Sequence, residues 1–340
     1  MSKKETPLTP ERISQLGWGY TASLILEAAV RCRVFDVLDA GPKTLAQVAA
    51  ETGASPRGLR ALMNALVGFE LLAKKGDAYA LTPESATFLV STKPGYRGGM
   101  FRHISTQLIP HWMRLAESVQ TGKPPVSVNQ ENTGGPFFRE FVEDLFANGY
   151  DSARVLADNL GVAKATGPYR VLDLAAGSGV WSIPFAEKSP HVRVTVVDWP
   201  AVIPVCQKVT ARRGVADRYE YRPGDLLTTD FGAGYYAATL GHILHSEGEK
   251  RSRALLKKVF AALAPGGTVA VAEIIPNEDR TGPPFALAFA VNMLVHTDEG
   301  DTFTFSEMSA WLKEAGFVNP RQVDVPAPSP LVLADKPGSR

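Results

Sequence analysis

The chain has 340 residues, with 36 Lys and Arg against 35 Asp and Glu and a formal net charge of +1. That length suits about two domains, and so small a charge leaves no overall basic field to hold nucleic acid or an anionic membrane. With 45% hydrophobic and 21% charged residues, 30 glycines and 25 prolines, it is neither disordered nor collagen-like but able to bury a core. Its two cysteines, Cys32 and Cys206, stand far apart in apolar stretches and form neither a disulfide framework nor a zinc signature. The polar start MSKKETPLTPERIS lacks the apolar region of a secretory signal, and no long apolar run is free of polar breaks. A reduced cytoplasmic setting with no membrane span is the expectation.

Residues 20–39 carry Ile25, Ala28, Ala29, Cys32 and Phe35 at helical spacing, and Gly41-Pro42 stops the run. Thr44 reads as an N-cap with Gln47 in capping-box position, and Gly53 closes that short helix. A third helix follows, with Leu59, Leu62, Met63 and Leu66 on one face. Two apolar runs around Gly76-Asp77 then predict a β-hairpin. Helix, short helix, turn, helix and hairpin is the order of a winged helix. Such a module often binds DNA, but this one carries only Arg57, Arg60, Lys74 and Lys75 where a dense basic face belongs. Its first helix is apolar on most sides, which points to burial against a second chain.

Residues 91–165 predict a helix over 101–122 with a break at Pro110, a polar loop through GKPPVSVNQENTGGP, and a helix from Phe137 to Leu160. From residue 170 the pattern changes to apolar strands alternating with helices: RVLDL, HVRVTVVDWP, YYAATLGHILH and GGTVAVAEIIP, then a hairpin around RQVDVP and PLVLAD. This is the pattern of a doubly wound parallel sheet covered on both faces. The expected division is 1–95 winged helix for dimerisation, 96–165 helical connector at a substrate pocket, and 166–340 cofactor sheet.

The first strand ends in Asp173-Leu-Ala175-Ala-Gly177-Ser-Gly179, small residues that let the backbone turn tightly and approach a ligand. A dinucleotide fingerprint would put a third glycine at Ser182. Asp198 closes the second strand, where an acid can accept from ribose hydroxyls. Asp225, in Gly224-Asp225-Leu226, can accept from an adenine amine. Each aspartate alone reads as a cap; three at successive sheet-edge positions read as a nucleoside site. His245 follows an apolar strand at the same edge, where a neutral imidazole can take a hydroxyl proton, and Glu273 at the neighbouring strand end can fix its tautomer.

Taken together, DLAAGSG, VDWPAV, PGDLL, LGHILHSEGE and APGGTVAVAEIIP resemble the motifs of S-adenosylmethionine-dependent methyltransferases of the plant caffeic-acid and acetylserotonin O-methyltransferase type and their bacterial relatives. The resemblance runs nearly the length of the chain. It implies a class I methyltransferase Rossmann-like sheet behind a winged-helix dimerisation domain, a homodimer, and no metal. It implies a cofactor site of Asp173, Ala175, Gly177, Gly179, Asp198, Trp199, Gly224, Asp225, Leu226 and Gly241, the last standing where relatives often have a lysine. His245 falls on the family's general base and Glu273 on the carboxylate that orients it. Met293, His296 and Thr302 fall on the acceptor side.

Two departures stand out: Ser246-Glu247 replaces the usual Asp-Trp, and Thr302 replaces a second carboxylate, with Glu299 and Asp301 as displaced stand-ins. The expected reaction is methyl transfer from S-adenosylmethionine to a hydroxyl of an aromatic or polyketide-like secondary metabolite. Alternatives on the same fold are methylation of carbon or nitrogen, or hydroxylation or cyclisation without methyl transfer. A DNA-binding S-adenosylmethionine sensor is a more distant one.

Overall fold

The computed structural model describes residues 8–326 and 329–338. The chain divides into two compact units, residues 1–108 and 109–340.

In the N-terminal unit the helices Tyr20–Arg31, Leu45–Thr52 and Pro56–Gly68 surround a three-stranded antiparallel sheet. Its strands β1 (Lys43–Thr44), β2 (Leu72–Lys75) and β3 (Ala78–Leu81) lie in the order β1-β3-β2. The expected capping box is present: Thr44 Oγ1 accepts from the Gln47 N–H, and Gln47 Oε1 accepts from the Thr44 N–H at 2.8 Å. Leu59, Met63 and Leu66 bury together with Val34, Phe35, Val48 and Tyr79. The single helix expected over 20–39 is two. Arg33 takes a left-handed φ of 57°, and the chain re-aims so that Val34, Phe35, Val37 and Leu38 all face the core. Ahead of it, Ile13, Leu16, Trp18 and Tyr20 are exposed.

The second unit is built on a seven-stranded sheet. Its strands are β4 (Tyr169–Leu174), β5 (Val192–Asp198), β6 (Tyr219–Pro223), β7 (Tyr235–Gly241), β8 (Leu263–Ala272), β9 (Val318–Val323) and β10 (Leu331–Asp335). The order is β6-β5-β4-β7-β8-β10-β9; all pairings are parallel except those of β10 with β8 and β9. Side chains alternate between two cores, as a strand period of two requires. Val171, Ala237 and Ala270 face one, while Leu172, Ala238 and Val271 face the other. The helices Phe146–Asn159, Ile183–Lys188 and Ile203–Arg212 cover the first face, and Leu244–Ala262 and Phe305–Glu314 the second. The chain winds outward from β4 through β5 and β6, then restarts at β7. The crevice at the carboxyl ends of β4 and β7 is therefore the topological switch point where such sheets bind ligands.

Three further expectations need correction. β6 went unread as a strand because an alternating, Pro-ended edge strand carries no apolar run. The expected helix over 101–122 is several short pieces with a π-helical turn at Ile104–Leu108; Pro110 lies inside Ile109–Trp112, and the break falls at Met113-Arg114. The polar loop instead enters a helix, Glu131–Arg139, and a turn separates this from Phe146–Asn159. The reason lies at Gly134, where any Cβ would collide with the Val128 carbonyl and the Trp199 ring. The glycines that suggested a loop let a helix pack closely.

Candidate active site

The turn after β4 is held from beneath. Asp173 is fully buried, and its carboxylate accepts from Ser182 Oγ at 2.5 Å and Thr239 Oγ1 at 2.7 Å. Burial pushes it up to about 6. It thus ties β4 to β7 and to the following turn. Above it Ala175, Gly177 and Gly179 have φ of 50°, 56° and 77°. Left-handed backbone is glycine territory, and a side chain at Gly179 would also sit 2.9 Å from Cys206 Sγ.

Asp198 closes β5 beside this turn. Its Oδ2 accepts from the Gly177 N–H at 2.8 Å and its Oδ1 from the Trp199 N–H at 2.7 Å. Each oxygen keeps a second lone pair for a ribose hydroxyl. Burial outweighs those two bonds and pushes the carboxyl up to about 7, with the Asp173 charge adding to the effect. The Gly224 N–H donates to the Asp198 carbonyl at 2.9 Å, which joins the loop after β6 to the same edge. Asp225 next accepts from the Leu227 N–H and from Arg251 Nη2, both at 2.8 Å. Burial opposes ionisation there, but these donors hold the carboxyl below its usual range. Leu226 is buried alongside. Arg251, which sequence reading missed, also donates from Nε to the buried Glu247 at 2.6 Å. Position 247 thus feeds into the Asp225 edge through one guanidinium.

Gly241, at the end of β7, has no room for a side chain. A Cβ there would fall inside the Trp181 indole, which lies 5.9 Å from the His242 ring, centroid to centroid. The space beside position 241 is therefore taken by a bulky neighbour from the turn after β4.

His245 and Glu273 are both buried. His245 Nδ1 lies 2.7 Å from Glu273 Oε2, and its backbone N–H donates to Glu273 Oε1 at 3.1 Å. Burial opposes the Glu273 charge, but the histidine outweighs it and holds the carboxyl low. An ionised carboxylate only accepts, so Nδ1 carries the hydrogen and Nε2 keeps the lone pair. Gly248, with φ 72°, breaks the helix after this turn and frees His245 from the direction of the long helix. Next door, His242 bonds Ser329 Oγ at 3.0 Å, and burial drives it down to about 4, so it stays neutral.

The 299–302 segment supports the histidine from its backbone. The Asp301 N–H donates to the His245 carbonyl at 2.9 Å, and a side chain at Gly300 would collide with that carbonyl. The Asp301 carboxylate turns to its neighbour's N–H and toward Arg280, and the buried Thr302 hydroxyl has no hydrogen-bond partner among the described residues. Among the described residues, Glu273 is the carboxylate paired with His245. On the helix Pro284–His296, Phe289 packs edge-on to the His245 ring at 5.0 Å, and Met293 and His296 are buried further along. His296 Nδ1 bonds the Asn292 carbonyl at 2.8 Å. Phe138 and Phe137 form an aromatic path from Trp199 to His296, with centroid steps of 5.9, 5.2 and 5.8 Å.

Among known families, an O-methyltransferase domain matches residues 112–318 and an O-methyltransferase dimerisation domain matches residues 14–91. The chain is 32% identical to the tetracenomycin polyketide synthesis 8-O-methyl transferase TcmO of Streptomyces glaucescens, over 96% of this chain and 97% of that one. It is 30% identical to the 3-hydroxy-5-methyl-1-naphthoate 3-O-methyltransferase of Streptomyces sahachiroi, over 94% and 92%. The crystal structure of human N-acetylserotonin methyltransferase in complex with S-adenosylmethionine shares the fold, with a TM-score of 0.85 at 24% identity over 99% of this chain and all of that one. The chain belongs to the S-adenosylmethionine-dependent O-methyltransferase family, an enzyme with a class I Rossmann-like sheet and an N-terminal dimerisation domain.

Proposed function

We propose that this enzyme methylates a hydroxyl of an aromatic or polyketide-like small molecule, with His245 as the general base. The observation that carries the reading is the His245–Glu273 pair, 2.7 Å apart and buried at the end of the parallel sheet. The relatives named for tetracenomycin and naphthoate chemistry support the acceptor class.

The cradle fits S-adenosylmethionine. Left-handed backbone at Ala175, Gly177 and Gly179 opens the turn to a ligand's backbone-close approach, while Asp198, Trp199, Asp225 and Leu226 line the edge that would take the nucleoside. When bound, it supplies an electrophilic sulfonium methyl whose carbon–sulfur bond breaks with its electrons left on sulfur. The acceptor hydroxyl gives its proton to His245 Nε2 as its oxygen bonds that methyl carbon. Glu273 holds Nδ1–H and stabilises the imidazolium that forms. Phe289 beside the histidine keeps water from its ring, which favours a reaction in which opposite charges meet and disappear. Turning the oxygen toward the methyl in one fixed direction supplies much of the remaining acceleration.

His245→Ala is expected to lower kcat/KM about 10²–10⁴-fold, the usual worth of a positioned base, while cofactor affinity by equilibrium dialysis stays within about threefold. Wild-type turnover in that variant would remove the base assignment.

Residues 1–95 are assigned to dimerisation, 96–165 to a connector at the acceptor, and 166–340 to the cofactor. The exposed Ile13, Leu16, Trp18 and Tyr20 form the apolar surface that a second copy would cover. Light scattering that gives one chain mass at micromolar concentration would exclude the homodimer.

A further inference from the structure

Trp181 is 5% exposed, and its indole N–H has no hydrogen-bond partner among the described residues. A buried indole ordinarily finds an acceptor for that hydrogen, because an unpaired donor loses its bond to water and gains nothing. Glycines hold both ends of this ring system. A Cβ at Gly149, on the helix Phe146–Asn159, would stand 3.5 Å from Cζ2 at the benzo end. A Cβ at Gly241, closing β7, would fall on Nε1 and Cδ1 at the pyrrole end. The N–H edge therefore lies against the end of β7, beside the crevice that β7 forms with β4. Nε1 is not one of the sealed, unpaired polar atoms of the core, so its hydrogen opens outward there.

Other donors at this place are already committed. The Ala175 N–H donates to the Val197 carbonyl at 2.9 Å, the Gly177 N–H to Asp198 at 2.8 Å, and the Gly179 N–H to the Ala176 carbonyl at 2.7 Å. His242 is held neutral by burial and turns Nε2 to Ser329. Asp173, beneath the turn, accepts from Ser182 and Thr239 and offers no donor. An anionic group arriving over β4 and β7 needs a donor that is still free, and the indole supplies one. The ring's own charge distribution points the same way. Its edge is positive and its face negative, so an edge-on indole favours a carboxylate over a cation.

The strand order β6-β5-β4-β7 sets which part of the cofactor comes here. Asp225 and Asp198, the proposed acceptors for adenine and ribose, stand after β6 and at the end of β5, and His245 follows β7 on the far side of β4. Strands lie about 4.8 Å apart. A nucleoside over β5 and β6 whose sulfonium serves His245 must therefore lay its amino-acid arm over β4 and β7. That arm ends in the cofactor's one carboxylate.

We propose that Trp181 Nε1–H donates a hydrogen bond to the carboxylate of the S-adenosylmethionine amino-acid arm, which makes Trp181 a cofactor-binding residue. The proposal rests on the placement of the nucleoside at Asp198 and Asp225 given above. Gly241 is its condition, since a side chain there would take the volume of the indole. A lysine at 241 would bring another donor to that volume only with the indole removed.

The test uses full-length enzyme and calorimetry at pH 8, with S-adenosylhomocysteine and its decarboxylated analogue S-adenosyl-3-thiopropylamine as ligands. The two share nucleoside, thioether and amine and differ only in the carboxylate. Wild type is expected to prefer S-adenosylhomocysteine about tenfold to hundredfold, the usual worth of a hydrogen bond to a charged group. Trp181→Phe, which keeps an aromatic ring and removes the N–H, is expected to bring the two Kd values within about threefold by weakening S-adenosylhomocysteine. Placing 3-benzothienylalanine at 181 keeps the indole shape with sulfur for the N–H and is expected to do the same. No preference in wild type, an undiminished preference in both replacements, or equal weakening of both ligands overturns the proposal; the last would mean that the ring only fills space. Loss of both ligands in the benzothienylalanine protein also overturns it, because the N–H would then support the fold instead. Asp198→Ala tests the placement beneath the proposal and is expected to weaken both ligands about tenfold. Two unchanged Kd values there would remove the nucleoside placement, whatever Trp181 does.

Discussion

The edges proposed for the cofactor and for the acceptor in the second unit are built by different means. At the ends of β4, β5 and β6, and at Gly241 closing β7, the site is mostly backbone. Left-handed turns, a carboxylate held by two N–H groups, and glycines with no space for a side chain do the shaping. In the turn after β7, at the end of β8 and on the helix Pro284–His296, side chains from separate segments do it. His245, Glu273, Phe289 and His296 are brought together only by the fold. A backbone site tolerates added atoms poorly. A side-chain site tolerates exchange but changes what it recognises.

The largest expected effect tests the first half of that contrast. Gly241→Lys puts a side chain where the Trp181 indole already lies. Overpacking costs about 1–3 kcal/mol, which appears as a tenfold to hundredfold weaker cofactor Kd or as a matching loss of stability. Adding Trp181→Ala to the same chain is expected to recover most of it, because the two side chains compete for one volume. A harmless Gly241→Lys, or a double variant no better than the single one, would break the comparison.

A middling effect comes from Asp198. Its carboxyl is raised to about 7 by burial, so below that pH the folded enzyme holds a proton that the unfolded chain has already lost. The sign follows. This residue's contribution to stability falls as pH rises from about 4 to about 7 and is level above that. A ribose hydroxyl donates best to the ionised form, so cofactor binding works in the opposite direction. The Kd measured by calorimetry is expected to tighten about tenfold from pH 6 to pH 8. Asp198→Asn is expected to flatten that slope; a slope that persists would place the titrating group elsewhere.

The contrast also explains what could be read in advance. The turn from Asp173 to Gly179, Asp198, and the Gly224-Asp225 loop are contiguous strand-end motifs, and their backbone demands are written as glycines and small residues. His245 and Glu273 sit at strand ends too. Continuous apolar strands alternating with helical segments revealed the sheet itself. Residues whose roles come from distant partners gave no local signal. Trp181 matters through Gly241, and Arg251 through Asp225 and Glu247. Gly134 was misread for the same reason, since a glycine fitted against Trp199 looks in sequence like a glycine in a loop.

Arg251 gives the smallest effect and the finest distinction between the halves. Its guanidinium is partly exposed and joins Asp225 to Glu247, so it shapes the cofactor edge by side chain rather than by backbone. Water screens the Arg251–Asp225 pair, and exposed pairs are worth at most about 1 kcal/mol. Asp225 also keeps the Leu227 N–H in its absence. Arg251→Gln is therefore expected to raise the cofactor KM only about threefold and leave kcat with saturating cofactor unchanged. A fall in kcat instead would mean that the Glu247 turn transmits the change to His245, two residues before it, and that the two edges are not separately built. A KM unchanged within error would mean that the backbone alone holds Asp225 in place, which extends the backbone rule to the whole of the cofactor edge.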